Sequence, residues 1–165
     1  MSSNSKALMA AYAGWPVILD SNLLLLRWCG LIDVSLLKTF KRLQGFDLND
    51  IQVLGEVLSA LGDLKTTPHV LTEVSNLANS LSSWRKPAWT NFLASQVNLI
   101  EEQWEPATRI LQDAALALFG LTDAAIARLA RTHVILSVDW PLCNYLATRG
   151  LAAINFNYLS QTVLP

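Results

Sequence analysis

Apolar residues fall in two spacings along this chain, and the two alternate. Val17-Ile18-Leu19 and His133-Val134-Ile135-Leu136-Ser137-Val138 are unbroken branched runs, the pattern of strands buried on both faces. Thr66-Thr67-Pro68-His69-Val70-Leu71 predicts a shorter strand with its proline near the start, where a ladder tolerates one. Val97-Asn98-Leu99-Ile100 predicts a further strand, and Ala152-Ala153-Ile154-Asn155-Phe156 a closing edge strand. Between them, three-to-four spacing predicts helices from Leu23 to Trp28 before Gly30, from Asp33 to Leu43, and from Asp50 to Leu61 before Gly62. Others are predicted from Glu73 to about Leu81 behind Thr72 as N-cap, from Ala88 to Ser95 behind Pro87, and from Pro106 to Leu118 before Gly120. The last two run from Thr122 to Arg131 and from Pro141 to Thr148, the latter closed by Gly150. Strands alternating with helices predict the α/β class with a parallel sheet.

Composition narrows this picture. The chain has 165 residues, enough for one domain that buries about 70% of its unfolded surface. No repeat or linker divides it, so residues 15–165 are expected to form one domain behind a flexible tail, residues 1–14. Although 52% of residues are hydrophobic, no window approaches the ~18 consecutive apolar residues of a membrane span. Cys29 and Cys143 lack metal-ligand spacing and read as thiols of a reducing, cytoplasmic compartment. The net charge of −1 gives no global pull toward nucleic acid, yet Arg27, Lys38, Lys41, Arg42, Arg85 and Lys86 cluster locally, and a local patch can track phosphates. His69 and His133, inside predicted strands, read as core groups rather than ligands.

The chemistry lies in the acids. Asp20 and Asp139 each follow a buried strand, Glu73 is expected in the first turn of a helix, and so is Asp123. Parallel strands would put all four at one edge of the sheet, where ligands of open α/β sheets sit. Each acid singly is also a good helix cap or first-turn residue. Together they would repel unless a cation met them, and an all-oxygen set suits Mg²⁺ or Mn²⁺ rather than zinc.

These segments resemble the motifs of PIN-domain nucleases. Val17-Ile18-Leu19-Asp20-Ser21-Asn22 is similar to the family's opening strand and Asp-x-Asn. Pro68-His69-Val70-Leu71-Thr72-Glu73-Val74-Ser75-Asn76-Leu77 resembles its second-acid segment, Gly120-Leu121-Thr122-Asp123-Ala124 its third, and Leu136-Ser137-Val138-Asp139 its fourth, with Ser137 in place of the usual threonine. Gly150 and Ile154-Asn155-Phe156 are similar to its last strand, so the resemblance spans about residues 17–157. It implies a three-layer sandwich with a five-stranded parallel sheet, and metal-dependent cleavage of RNA. It also implies that Asp20, Glu73, Asp123 and Asp139 hold the metal and catalyse, while Asn22 and Ser137 steady those carboxylates by hydrogen bonds. RNA would be the substrate, with a cognate antitoxin protein as a further partner. The extra length relative to compact toxin members counts against that pairing more than against the chemistry. The low charge is compatible with a homodimer.

Other readings compete. A dehalogenase-type phosphatase needs a second Asp two residues after the first, where Asn22 stands. A PIN-like module that binds RNA or protein without cutting is the main alternative. Trp140, directly after Asp139, could stack on a base, and Arg27, Lys38, Lys41 and Arg42 could contact phosphates. Trp84 and Trp89 bracket Arg85, Lys86 and Pro87 and could mark a partner surface.

Overall fold

The computed structural model describes residues 3–79, 81 and 86–160, so Trp84 and Arg85 lie outside the described residues. Five parallel strands form one sheet: β1 (Val17–Leu19), β2 (Leu64–Thr66), β3 (Glu101–Glu102), β4 (Val134–Ser137) and β5 (Ala153–Asn155), in the order β3-β2-β1-β4-β5. The register sets Val17 beside Leu64 on one side and Val134 on the other, while Leu136 pairs with both Leu19 and Ile154. The branched runs of β1 and β4 are fully buried and occupy the middle. This is the expected three-layer α/β sandwich with helices flanking a parallel sheet. All carboxyl ends point to one edge. Strand order reverses between β1 and β4, and such switch points open a crevice at that edge.

Eleven helices connect the strands among the described residues. Residues Ser3–Ala11, expected within a flexible tail, form α1, which lies against the later helix α4 and sends Met9 into the core. The helix after β1, α2 (Ser21–Ile32), runs through Gly30 instead of stopping there. A Cβ at Gly30 would lie 2.9 Å from Ile51 Cδ1, so this glycine serves close packing rather than termination. The single helix expected from Asp33 to Leu43 breaks at Phe40, whose extended backbone lets its ring enter the core. It becomes α3 (Leu36–Thr39) and a 3-10 turn at Lys41–Leu43. Helix α4 (Leu48–Ala60) starts two residues before the expected Asp50, because Asp47 and Asp50 form a reciprocal capping box.

The expected strand from Thr66 to Leu71 is half strand and half helix. β2 ends at Thr66, Thr67 caps the next helix by accepting the Val70 N–H, and Pro68 opens α5 (Pro68–Ala78). Proline is well suited to that first position because its missing N–H has no helical partner there anyway. Thr72 is therefore not the cap, and Glu73 lies in the body of α5 rather than in its first turn. Helix α6 (Lys86–Val97) covers the start of the segment expected as a strand at Val97–Ile100, and β3 forms just beyond it. β3 is an edge strand built from exposed acids, with Lys65 Nζ 2.8 Å from Glu101, so it lacks the apolar signature of a buried strand.

The segment from Pro106 to Leu118 splits into α7 (Ala107–Ile110) and α8 (Ala115–Phe119), since Asp113 takes the Ala115 N–H at 2.9 Å. Gly120, at φ +84°, turns the chain into α9 (Leu121–Leu129). After β4 comes α10 (Trp140–Ala147), and α11 (Asn157–Ser160) follows β5. His133 precedes β4 and is buried, its Nδ1 2.9 Å from Thr132 Oγ1, while His69 belongs to α5 rather than a strand. Cys29 and Cys143 are buried and not joined by a disulfide. No helix among the described residues is long and apolar enough to cross a membrane.

Gly62 anchors the approach to β1. Its N–H donates to Trp15 O at 2.7 Å, and a Cβ there would fall 2.6 Å from Gly14 O and 2.8 Å from Trp15 O. Both obstacles are backbone. Gly62→Ala is therefore expected to destabilise the fold by about 1–3 kcal/mol in chemical denaturation; an unchanged midpoint would contradict this packing.

Candidate active site

The four acids come from separate segments and lie near enough at the carboxyl edge of the sheet for the charges of Asp20, Glu73 and Asp139 to act on Asp123. Asp20 follows β1 directly and caps α2, its Oδ1 accepting the Leu23 N–H at 2.8 Å. Its Oδ2 accepts the Val138 N–H at 3.0 Å and the hydroxyl of Ser137. One buried carboxylate thus ties β1, α2 and the end of β4 together. Burial pushes its pKa up, the three donors oppose that, and the nearby charge of Asp139 adds to the rise.

Asp139 caps α10 in the same manner, its Oδ1 accepting the Leu142 N–H at 2.8 Å. Its own N–H donates to Ser137 Oγ at 2.9 Å. Ser137 therefore bridges the two acids, as donor to one and acceptor from the backbone of the other. Asn22, expected to share that work, is half-buried and makes no side-chain hydrogen bond among the described residues. Its neighbour Ser21 does the holding instead, donating to Glu73 Oε2 at 3.0 Å. Nothing local in the sequence marks Ser21 for this role, because its partner lies 52 positions away.

Glu73 reaches this edge because α5 packs on both α2 and α9. Asp123 is the third residue of α9 and half-buried. Its pKa rises from 3.8 to about 7, first through burial, then through the charges of Asp20, Glu73 and Asp139. No hydrogen-bond donor meets its carboxylate among the described residues. Cys143, nearby on α10, is no competing nucleophile at neutral pH. Burial and the charge of Asp20 push its thiol up to about 12.

A count of oxygens shows what the site could hold. Both oxygens of Asp20 are engaged, whereas Asp139 Oδ2, Glu73 Oε1 and both oxygens of Asp123 take no hydrogen bond among the described residues. These are hard carboxylate donors suited to a hard divalent cation. Among the described residues, no three His, Cys, Asp or Glu side chains are close enough to encircle an ion. Mg²⁺ keeps several waters and takes only one or two protein carboxylates, so a partly open set meets its needs.

The expected RNA contacts scatter. Arg27 on α2 is half-buried, and burial lowers its pKa. Lys38, Lys41 and Arg42 are exposed, and Lys38 lines a separate, largely apolar cleft of about 800 Å³ with Val34, Leu37, Phe46 and Leu48. Trp140 is exposed next to Asp139, and its Nε1 donates to Tyr158 Oη at 3.0 Å. That aromatic pair was invisible in sequence, because 18 positions separate its members. Trp89, expected at a partner surface, instead packs edge-on to Trp28 in the core. No protein-family model, curated protein or solved structure matches the chain.

Proposed function

We propose that the chain is a Mg²⁺- or Mn²⁺-dependent endoribonuclease of the PIN-domain kind. One observation carries the reading: four carboxylates from four segments share an edge, and their mutual field helps raise Asp123 to about 7. A five-stranded parallel sheet is what the sequence resemblance implies. Asp123, Glu73 and Asp139 offer open oxygens to the ion, and Asp20 forms the floor beneath them. When bound, the ion supplies charge neutralisation and Lewis-acid polarisation for attack on a phosphodiester. Ser21 holds Glu73 in place, and Ser137 fixes the separation of Asp20 from Asp139. Asp123 holds its proton below about pH 7, so metal loading and cleavage should weaken as pH falls through that value. The cytoplasm is the setting this chemistry suits, with RNA as substrate. A cognate antitoxin and a homodimer are partners that the reading accommodates.

The second reading is a PIN-like module that binds RNA or protein without cutting. It is favoured by the lack, among the described residues, of any three ligand side chains drawn around one point. An assay on a mixed RNA pool separates the two, with Mg²⁺ or Mn²⁺ added, EDTA as control, and Asp123→Asn beside wild type. Metal-dependent cutting that falls on the order of 100-fold or more in the variant is expected. RNA bound but uncut by wild type in either metal would favour the second reading.

A further inference from the structure

A cleft of about 490 Å³ opens beside the acids, lined by His69, Thr72, Glu73, Asn76, Trp104 and Thr122 among others. Its walls differ in chemistry. Trp104 is 72% exposed and has no ring partner among the described residues. It is nonetheless well placed, because the preceding Gln103 donates its N–H to Thr66 O at 2.7 Å and so extends the ladder of β2 and β3. Facing it, α5 presents His69, Glu73 and Asn76 at four- and three-residue spacing, which puts them on one side of the helix. His69 Nδ1 is shielded from solvent with no hydrogen-bond partner among the described residues. A buried ring nitrogen in that state costs free energy until a rearrangement of the ring gives it a partner.

Among the described residues no lysine or arginine lines the cleft, whereas Glu73 and Glu105 do, the latter paired with Arg128 at 2.9 Å. A phosphate is therefore the wrong occupant. A flat, uncharged ring with donors and acceptors at its edge is the right one. It can stack on the indole while His69, Asn76 and Thr122 meet its polar atoms. The volume is ample for one nucleoside, since pockets of about 300–1,000 Å³ take larger molecules. Glu73 belongs both to this cleft and to the acidic edge, so the two adjoin.

We propose that this cleft is a nucleobase site, stacking one base of a single strand on Trp104 and reading its edge with His69 and Asn76. Base binding stands on the cleft alone; placing that base next to the phosphate to be cut rests on the nuclease reading.

The test uses the full chain in EDTA, with adenosine, guanosine, cytidine and uridine titrated while the indole N–H signals of its six tryptophans are followed by NMR. Trp104→Phe assigns the relevant signal, and ribose is the control. The Trp104 signal is expected to move saturably with at least one nucleoside and not with ribose. Trp104→Ala should weaken that binding roughly 10-fold or more, and Asn76→Ala should change which nucleoside is preferred. Trp104 is exposed, so loss of binding with an unchanged denaturation midpoint reports the site and not the fold. No shift at Trp104, equal affinity in Trp104→Ala, or an equal response to ribose would overturn the proposal. Nucleoside binding without RNA cleavage would sink the nuclease reading and leave the cleft standing. Unaltered metal-dependent cleavage by Trp104→Ala, with no nucleoside shift, would do the reverse.

Discussion

Asp123→Asn is expected to lose cleavage and yet be more stable than wild type at pH 8. Asp123 sits half-buried among three other carboxylates and takes no hydrogen bond among the described residues, so its charge is opposed and uncompensated. Its folded-state pKa of about 7 lies above the 3.8 of an ordinary aspartate. Between those values the native protein keeps a proton that the unfolded chain has released. Wild-type stability attributable to this group therefore falls as pH rises from about 4 to 7, and levels off above. After discounting for solvent screening, the loss is on the order of 1–2 kcal/mol. Asparagine removes the charge and the pH dependence with it. Urea denaturation at pH 5 and pH 8 should show the gap between variant and wild type widening with pH. Mg²⁺ at pH 8 should then stabilise wild type and do little for the variant, because ligands stabilise only the state that binds them. Parallel pH slopes in the two proteins, or equal gains from Mg²⁺, would refute this account of Asp123.

Asp20 differs in that donors meet its carboxylate, although burial raises its pKa as well. Its carboxylate accepts from Leu23 N–H, Val138 N–H and the Ser137 hydroxyl, all within the closed interior of the switch point. Alanine would strand these donors and remove the cap of α2, at a cost of about 3–4 kcal/mol. Asparagine retains one acceptor for Leu23 but turns an N–H₂ toward Val138, so roughly 1–2 kcal/mol is expected. The stability order wild type, Asn, Ala would be read from denaturation midpoints, and Ala equalling Asn would contradict the proposed network. Activity loss in Asp20 variants is consequently ambiguous between chemistry and folding, while the same loss in Asp123→Asn is not.

The parts of the fold legible in sequence were those where one local signal sufficed. β1 and β4 declared themselves by branched runs because they are buried on both faces, and the acids after them were placed correctly by the strand ends. What was missed depended on partners far away in the chain. Pro68 could be read as the start of a strand or of a helix, and only the Thr67 cap and the packing of α5 decide for the helix. Gly30 looked like a stop until Ile51 came to lie against it. β3 carried no apolar pattern because it is a charged edge. Ser21, Tyr158 and Trp104 gain their places from contacts with α5, Trp140 and the β2–β3 ladder, none of which is local in sequence.

The network around Asp20 also changes what the acids can testify. If the chain is the nuclease proposed above, a descendant that ceased to cut RNA would still need Asp20, because the meeting of β1, β4 and α2 depends on it. Nothing structural would protect Asp123, whose charge is a burden to the folded state. In any set of related chains, an intact Asp20 would therefore mark a working scaffold, whereas selection to keep Asp123 would mark a working catalyst.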